Sequence, residues 1–253
     1  MNIKNNSHKI YITGDTHGLT DIDKIYTFRD KYGKKLTKDD YLIVAGDFGC
    51  CWFGNPEPGT EWYEMLKFEG LLDLDDRVTK FWDSCPWTTL FVDGNHENHP
   101  LLNSYPVTEW HGGKVHVISD SIIHLMRGQI YEIGGFSFFT LGGADSIDKY
   151  NRTIGKSWWV EELPFKEEYD EAMSNLEKHD MTVDYVITHC CGTSLLPMLC
   201  TFHFEEDELT RFFDHLEFDF GLNFKHWYFG HHHWDKKIDD KHTCLYEKIE
   251  RIL

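Results

Sequence analysis

The chain has 253 residues, 41% of them apolar and 15% aromatic, enough for a substantial buried core in one enzyme-sized domain. Its formal net charge of −18 weighs against a basic groove for nucleic acid or a surface for anionic lipid, since both need clustered Lys and Arg. Residues 1–9 lack the roughly 7–15 residue apolar stretch of an export signal. Nowhere do the roughly 18 apolar residues of a membrane span run together, and the expected location is the cytoplasm.

Taken in chain order, apolar and β-branched residues predict a first strand at 9–13. A helix follows through Ile22, Ile25, Phe28, Arg29 and Tyr32, with Thr20 as its candidate cap and Gly33 closing it. A second strand at Tyr41–Ala45, a helix at 60–72 and a third strand at Thr88–Val92 come next. Gln129–Ile133 and Phe136–Leu141 flank Gly134-Gly135, the pattern of a tight hairpin. Lys166–Lys178 reads as a helix with Tyr169, Ala172, Met173 and Leu176 on one face. A strand at 183–188, a helix at 205–215 and a strand at His226–Phe229 complete the series. Parallel and antiparallel strands together predict an α/β fold of two mixed β-sheets packed face to face and flanked by helices. Without a linker or repeat, residues 1–253 read as a single domain. Seven cysteines, two pairs of them adjacent (Cys50-Cys51 and Cys190-Cys191), suit free buried thiols in a reducing compartment better than a disulfide framework.

Chemistry collects where strands end. Gly14-Asp15-Thr16-His17-Gly18 follows the first strand, and Asp-x-His there supplies two ligand side chains directed to one side. Gly46-Asp47-Phe48-Gly49 follows the second, with a carboxylate whose two oxygens can bridge two cations. Gly94-Asn95-His96-Glu97 follows the third, and Thr188-His189 ends the fourth. The fifth ends at Gly230-His231-His232-His233, where period-two alternation sends His231 and His233 one way and His232 the other. In α/β sheets the functional crevice lies beyond the carboxyl ends of the strands, which is where all five pieces fall. Any one of them is an ordinary turn or packing feature; their coincidence is the signal.

The series GDTHG, GD, GNHE, TH and GHxH resembles the calcineurin-like metallophosphoesterase superfamily and spans Gly14 to His233. The resemblance implies that Asp15, His17 and His233 hold one metal, that Asn95, His189 and His231 hold the other, and that Asp47 bridges them. His96 would be the catalytic histidine that binds no metal, acting as general acid or transition-state stabiliser, and Glu97 would orient a ligand histidine. Imidazole, carboxylate and carboxamide donors suit manganese first, with iron, zinc or nickel as alternatives. Two divalent ions about 4 Å apart can hold a hydroxide for in-line attack on a phosphomonoester or phosphodiester. A small phosphorylated metabolite or nucleotide is the expected substrate, with nucleic acid and membrane partners disfavoured.

In the phosphoprotein phosphatases the second motif continues with a further Asp, then Arg-Gly; here Phe48, Gly49, Cys50, Cys51 and Trp52 follow. Another cation should then grip the phosphoryl group, and the candidates are Arg127 and Arg152, each near turn-forming glycines, with a surface ion pair in this acidic chain the equal alternative for either. Trp52, Phe53, Trp158 and Trp159 could wall a site for a flat group, although core packing is the plainer reading. The histidines outside the motifs, among them His99, His116, His124 and His203, read as ordinary, with His99 nearest to an exception. Two other functions fit the same motifs: a fold that has lost catalysis and binds a protein partner, and a nuclease.

Overall fold

The computed structural model describes residues 8–199 and 206–253. Its architecture follows from strands that are apolar on both faces. In β1 (Ile10–Thr13), Ile10 and Ile12 face one side and Tyr11 the other. The same split separates Ile43 from Leu42 and Val44 in β2 (Tyr41–Ala45), and Leu90 and Val92 from Phe91 in β3 (Thr88–Val92). Such strands need cover on both sides. After β3 come β4 (Val107–Trp110), β5 (Gly113–Ser119), β6 (Ile122–Leu125), β7 (Gln129–Ile133) and β8 (Phe136–Leu141). Then follow β9 (Tyr185–Thr188), β10 (His226–Phe229), β11 (Lys236–Lys237), β12 (His242–Cys244) and β13 (Glu250–Arg251).

One sheet runs β13-β1-β2-β3-β6-β5-β4, parallel from β1 through β6, and the other runs β11-β12-β10-β9-β8-β7, parallel from β12 through β8. Ile10, Ile43, Leu90 and Val92 of the first sheet share an apolar layer with Phe138, Ile187 and Tyr228 of the second, so the sheets pack face to face. Helices cover the outer faces. Over the first sheet lie α1 (Asp23–Tyr32) and, beyond α2 (Glu61–Glu69), α3 (Leu74–Asp83), burying Ile25, Phe28, Val78 and Trp82. After the short α4 (His99–Leu102), the second sheet is covered by α5 (Lys166–Lys178), which buries Tyr169, Ala172 and Leu176. The single turn α6 (Leu196–Leu199) and then α7 (Glu208–Asp214), with Leu209 and Phe213 inward, add to that cover. The result is the α/β sandwich of two mixed sheets that the sequence predicts.

Local chemistry explains most helix ends and corrects others. Thr60 caps α2, its Oγ1 accepting from the Tyr63 amide at 3.1 Å, and Gly70 stops that helix at φ 71°, short of residue 72. Thr20 does not cap α1, whose first turn carries no side-chain cap. Gly33 stays right-handed at φ −54° and leads into a 3₁₀ turn instead of reversing the chain. The last predicted helix begins at Glu208 behind an Asp207 cap; residue 205 and His203 lie outside the described residues. Gly134 and Gly135, at φ 60° and 81°, make the expected hairpin turn between β7 and β8. The antiparallel run β4–β6 and helix α3 were not among the predicted elements. Among the described residues, no helix is long and apolar enough to cross a membrane. Six cysteines there are free and buried; Cys200 lies outside the described residues.

Candidate metal centre

The loops after β1, β2, β3, β9 and β10 meet at one rim. Asp15, His17, Asp47 and His233 each turn one donor atom into a common space, all within 4.8 Å of one another. On the far side of Asp47, His189 Nε2 lies 3.3 Å from Asp47 Oδ1 and 3.2 Å from Asn95 Oδ1, and its ring sits 5.0 Å from that of His231. Asp47 is the hinge of this arrangement: Oδ2 faces His17 Nε2 at 3.2 Å, while Oδ1 faces His189 and accepts from the His96 amide at 2.7 Å. The structure therefore gathers all seven predicted ligand residues at one rim.

Backbone strain carries the convergence. Of the seven non-glycine residues with positive φ among those described, four are His17, Asp47, His231 and His233. Left-handed backbone at a non-glycine residue costs on the order of 1 kcal/mol or more and persists where surrounding structure over-determines it. The strand pleat is thus not what aims these side chains. β1 ends at Thr13 and β10 at Phe229, so His17, His231 and His233 are directed by left-handed turns. His232 does point elsewhere, its Nε2 lying 3.7 Å from Cys191 Sγ. Close approach also demands glycine at two points. A Cβ on Gly94 would sit 2.1 Å from Asp47 Oδ1, and one on Gly46, at φ 88°, 2.0 Å from His189 Nδ1.

Outer partners fix which atom of each ligand faces inward. Asp21 takes His17 Nδ1 at 2.7 Å and the Ala45 carbonyl takes His189 Nδ1 at 2.8 Å, so both rings present Nε2 to the centre. Asn95 donates from Nδ2 to Ser146 Oγ at 3.0 Å, which leaves its Oδ1 turned in. The His231 amide donates to both Asp15 oxygens at 3.1 Å, and Tyr246 stacks flat on His233 at 4.5 Å. Buried Lys24 ties the Gly14 and Asp15 carbonyls at 2.8 and 2.6 Å. Sequence reasoning missed Asp21, Lys24, Ser146 and Tyr246; only Asp21, four residues after His17, carried a local spacing signal.

The electrostatics suit cations. Burial works to raise the Asp47 carboxyl, but His189 and His17 outweigh it and hold it well below the usual carboxylate range. Burial likewise works to lower the His189 imidazole, yet Asp47 and Asp15 push it up to about 9. The Asp47 and Asp15 carboxylates that raise His189 are the negative charge a cation would meet there, and the oxygen and imidazole donors fit borderline divalent metals.

His96 and Arg152 stand beside this cluster. Arg152 Nη2 donates to His96 Nε2 at 3.1 Å while its Nε pairs with Asp148 at 2.8 Å. Burial lowers the His96 imidazole against the pull of Asp47, and Arg152 adds to the lowering. Both residues border a cavity of about 280 Å³ together with Asp47, Asn95, His231 and His233.

Three expectations change. Arg127 does not reach the cleft; it is buried, with Nε and Nη2 on Asp93 Oδ2 at 2.8 and 2.5 Å and Nη1 on Glu168 at 3.2 Å, so its donors are already committed. Glu97 orients no histidine. Its buried carboxylate accepts from the Phe48 and Gly49 amides at 2.7 and 3.2 Å, holding the loop that carries Asp47. Trp159 is buried and packs edge-on against Trp52 at 5.4 Å, whereas Trp52 and Phe53 are half-buried and line a second cavity.

The family model for calcineurin-like phosphoesterases matches residues 8–235. The chain belongs to the calcineurin-like phosphoesterase family. Within this metal-dependent family the lariat debranching enzyme of Schizosaccharomyces pombe is 25% identical over 144 residues, 57% of this chain and 27% of that enzyme, so the match spans about a quarter of the relative's length. A Staphylococcus aureus structure named for 5′-nucleotidase activity superposes with a TM-score of 0.47 at 14% identity, covering 96% of this chain and 50% of that one. The phosphopantetheinyl hydrolase of Mycobacterium tuberculosis gives 0.42 at 15% identity, covering 95% and 89%.

Proposed function

We propose that the chain acts as one calcineurin-like domain that hydrolyses a phosphomonoester or phosphodiester of a small metabolite or nucleotide. The observation that carries this reading is Asp47, whose two oxygens face different imidazoles, His17 at 3.2 Å and His189 at 3.3 Å, beside a cavity bordered by His96 and Arg152. Asp15, His17 and His233 would hold one divalent ion, Asn95, His189 and His231 a second, and Asp47 both, with manganese the first to try. Bound there, the ions would supply Lewis acidity for activating water and neutralising phosphoryl charge.

The chain's own residues do the rest. Arg152 presents a guanidinium to the cavity and can exchange its contact with His96 for two oxygens of an incoming phosphoryl group. The phosphoryl charge then placed next to His96 works against the lowering that burial and Arg152 impose on its imidazole. His96 then holds or delivers a proton at the departing oxygen. Asp21 and the Ala45 carbonyl keep the two Nε2 atoms aimed, and Glu97 keeps the Asp47 loop from shifting. A net charge of −18 argues for small substrates over nucleic acid. The test is turnover of nitrophenyl mono- and diesters by protein loaded with Mn²⁺, Fe²⁺, Zn²⁺ or Ni²⁺, beside His96→Ala and with metal content measured. Turnover no greater than that of His96→Ala with every metal would defeat the proposal, and co-purification of a partner protein without turnover would point to a scaffold.

A further inference from the structure

A second cavity, of about 220 Å³, also borders His96. His17 and His96 form its polar edge, and Trp52, Phe53 and Leu74 form an apolar wall. That wall is built in advance. Asp75 Oδ2 accepts from the amides of Trp52, Phe53 and Gly54 at 3.0, 2.9 and 2.8 Å. Asn98 Nδ2 holds the Trp52 carbonyl at 2.8 Å, and Trp159 packs edge-on against the Trp52 ring. The loop between Asp47 and α2 is thus pinned to α3, to the stretch after His96 and to a buried tryptophan.

Geometry assigns the cavity a place in the reaction. In an in-line displacement the leaving group departs opposite the attacking oxygen, and the residue that gives it a proton borders the space it occupies. His96 borders both cavities, one with Asp47 and Arg152 and one with Trp52 and Phe53. Among the described residues, no Asp, Glu, Lys or Arg side chain lines the second cavity, so it suits an uncharged group. Roughly 150 Å³ suffices for a benzene ring, and the space here admits one ring or a fused pair. Aromatic faces favour flat partners over saturated ones of equal size.

We propose that this cavity is the leaving-group subsite of the same centre and takes a planar, uncharged ring carried on the departing oxygen, as in an aryl, arylmethyl or nucleoside ester. The assignment rests on the hydrolase reading above, and its test separates the two. Benzylphosphonate and cyclohexylmethylphosphonate match in size and charge and differ in flatness. Calorimetric titration of the Mn²⁺-loaded full-length protein should show the benzyl compound binding roughly fivefold tighter. Phe53→Ala and Trp52→Ala should each lose most of that preference, Trp52→Phe should keep it, and orthophosphate affinity should be unchanged in all three. Equal affinity for the two phosphonates in the unmodified protein, or a preference that survives both alanine variants, overturns the subsite. Ring preference lost in the alanine variants, with no turnover of benzyl phosphate or any other ester, upholds the subsite and sinks hydrolysis instead.

Discussion

Aspartate, histidine and charged or polar partners build two clusters that meet at residues 93–96 and differ in kind. In front of that stretch, Asp15, His17, Asp47, Asn95, His189, His231 and His233 turn donor atoms toward a shared space, four of them on left-handed backbone. Behind it, Asp93, Arg127, His124 and His116 form a closed network, with His99 Nδ1 beside it at 3.8 Å from Asp93 Oδ2. Arg127 forks onto Asp93 Oδ2, His124 Nε2 meets Asp93 Oδ1 at 3.2 Å, and His116 Nδ1 meets His124 Nδ1 at 3.1 Å. Burial works to raise the Asp93 carboxyl, but Arg127 and His124 outweigh it and hold it far below the usual range. Identical chemistry is thus poised for a ligand in one place and satisfied internally in the other. The distinction lies in whether lone pairs face one another across a strained gap or already have donors in line.

The sharpest break in the comparison is Asp47→Ala. Losing an outer partner of a ligand costs about 10–100-fold in metal affinity or activity, and losing the carboxylate that faces both halves of the centre should exceed that. Steady-state kinetics and metal per chain give the answer; activity within tenfold of the parent would place Asp47 with the closed network.

Arg127→Met probes the rear cluster. Removing one partner of a buried ion pair leaves the other uncompensated and destabilises by about 3–5 kcal/mol, so the urea midpoint should fall steeply. A change below about 1 kcal/mol would show that Asp93 does not depend on the pair.

Arg152→Ala should do the opposite of Arg127→Met. As a partly exposed residue paired with Asp148, Arg152 should change stability by no more than about 1 kcal/mol on removal. Loss of a charge-stabilising donor in the cleft should lower kcat/KM by roughly 100-fold. Normal kinetics with reduced stability would return Arg152 to the structural class.

The smallest effect is a pH slope. Burial, with Arg127 adding to it, lowers His99 to about 3, and burial with His124 lowers His116 to about 4. Both folded values lie below the roughly 6.5 of an unfolded histidine. Their contribution is therefore complete above about pH 6.5 and is lost as pH falls toward 4. His116→Gln should lose less stability than the parent between pH 7.5 and 5, by about 1 kcal/mol in urea titrations. Parallel pH profiles for the two proteins would show that His116 titrates freely.

Much of this could be read from the chain. Five of the seven predicted strands, β2, β3, β7, β8 and β10, fall on the predicted residues, and β1 and β9 nearly so, because runs such as Tyr41–Ala45 have no polar face to confuse the pattern. The edge strand β4 escaped because Val107, Thr108 and Glu109 are exposed and lack strand periodicity. Helix α3 was passed over although Leu74, Val78, Phe81 and Trp82 hold helical spacing, since five of its ten residues are charged. Arg127 and Arg152 were indistinguishable as sequence, both sitting near glycines, and Glu97 offered no sign of which group it would hold.

Sequence by itself determined the donors: which aspartates, histidines and asparagine stand just past strand ends, and that glycines beside them leave room for close approach. Those are local properties, set within a few residues by strand-forming runs and the turns that stop them. Only the tertiary structure decided which charged groups face a gap and which neutralise each other, because that depends on partners such as Asp93 and Arg127, 34 positions apart in the chain. It also decided that an aromatic wall stands beside His96, since Asp75 and Asn98 reach the Trp52 loop from separate elements. Hydrogen bonds across the fold set those neighbours, and no pattern along the chain records them.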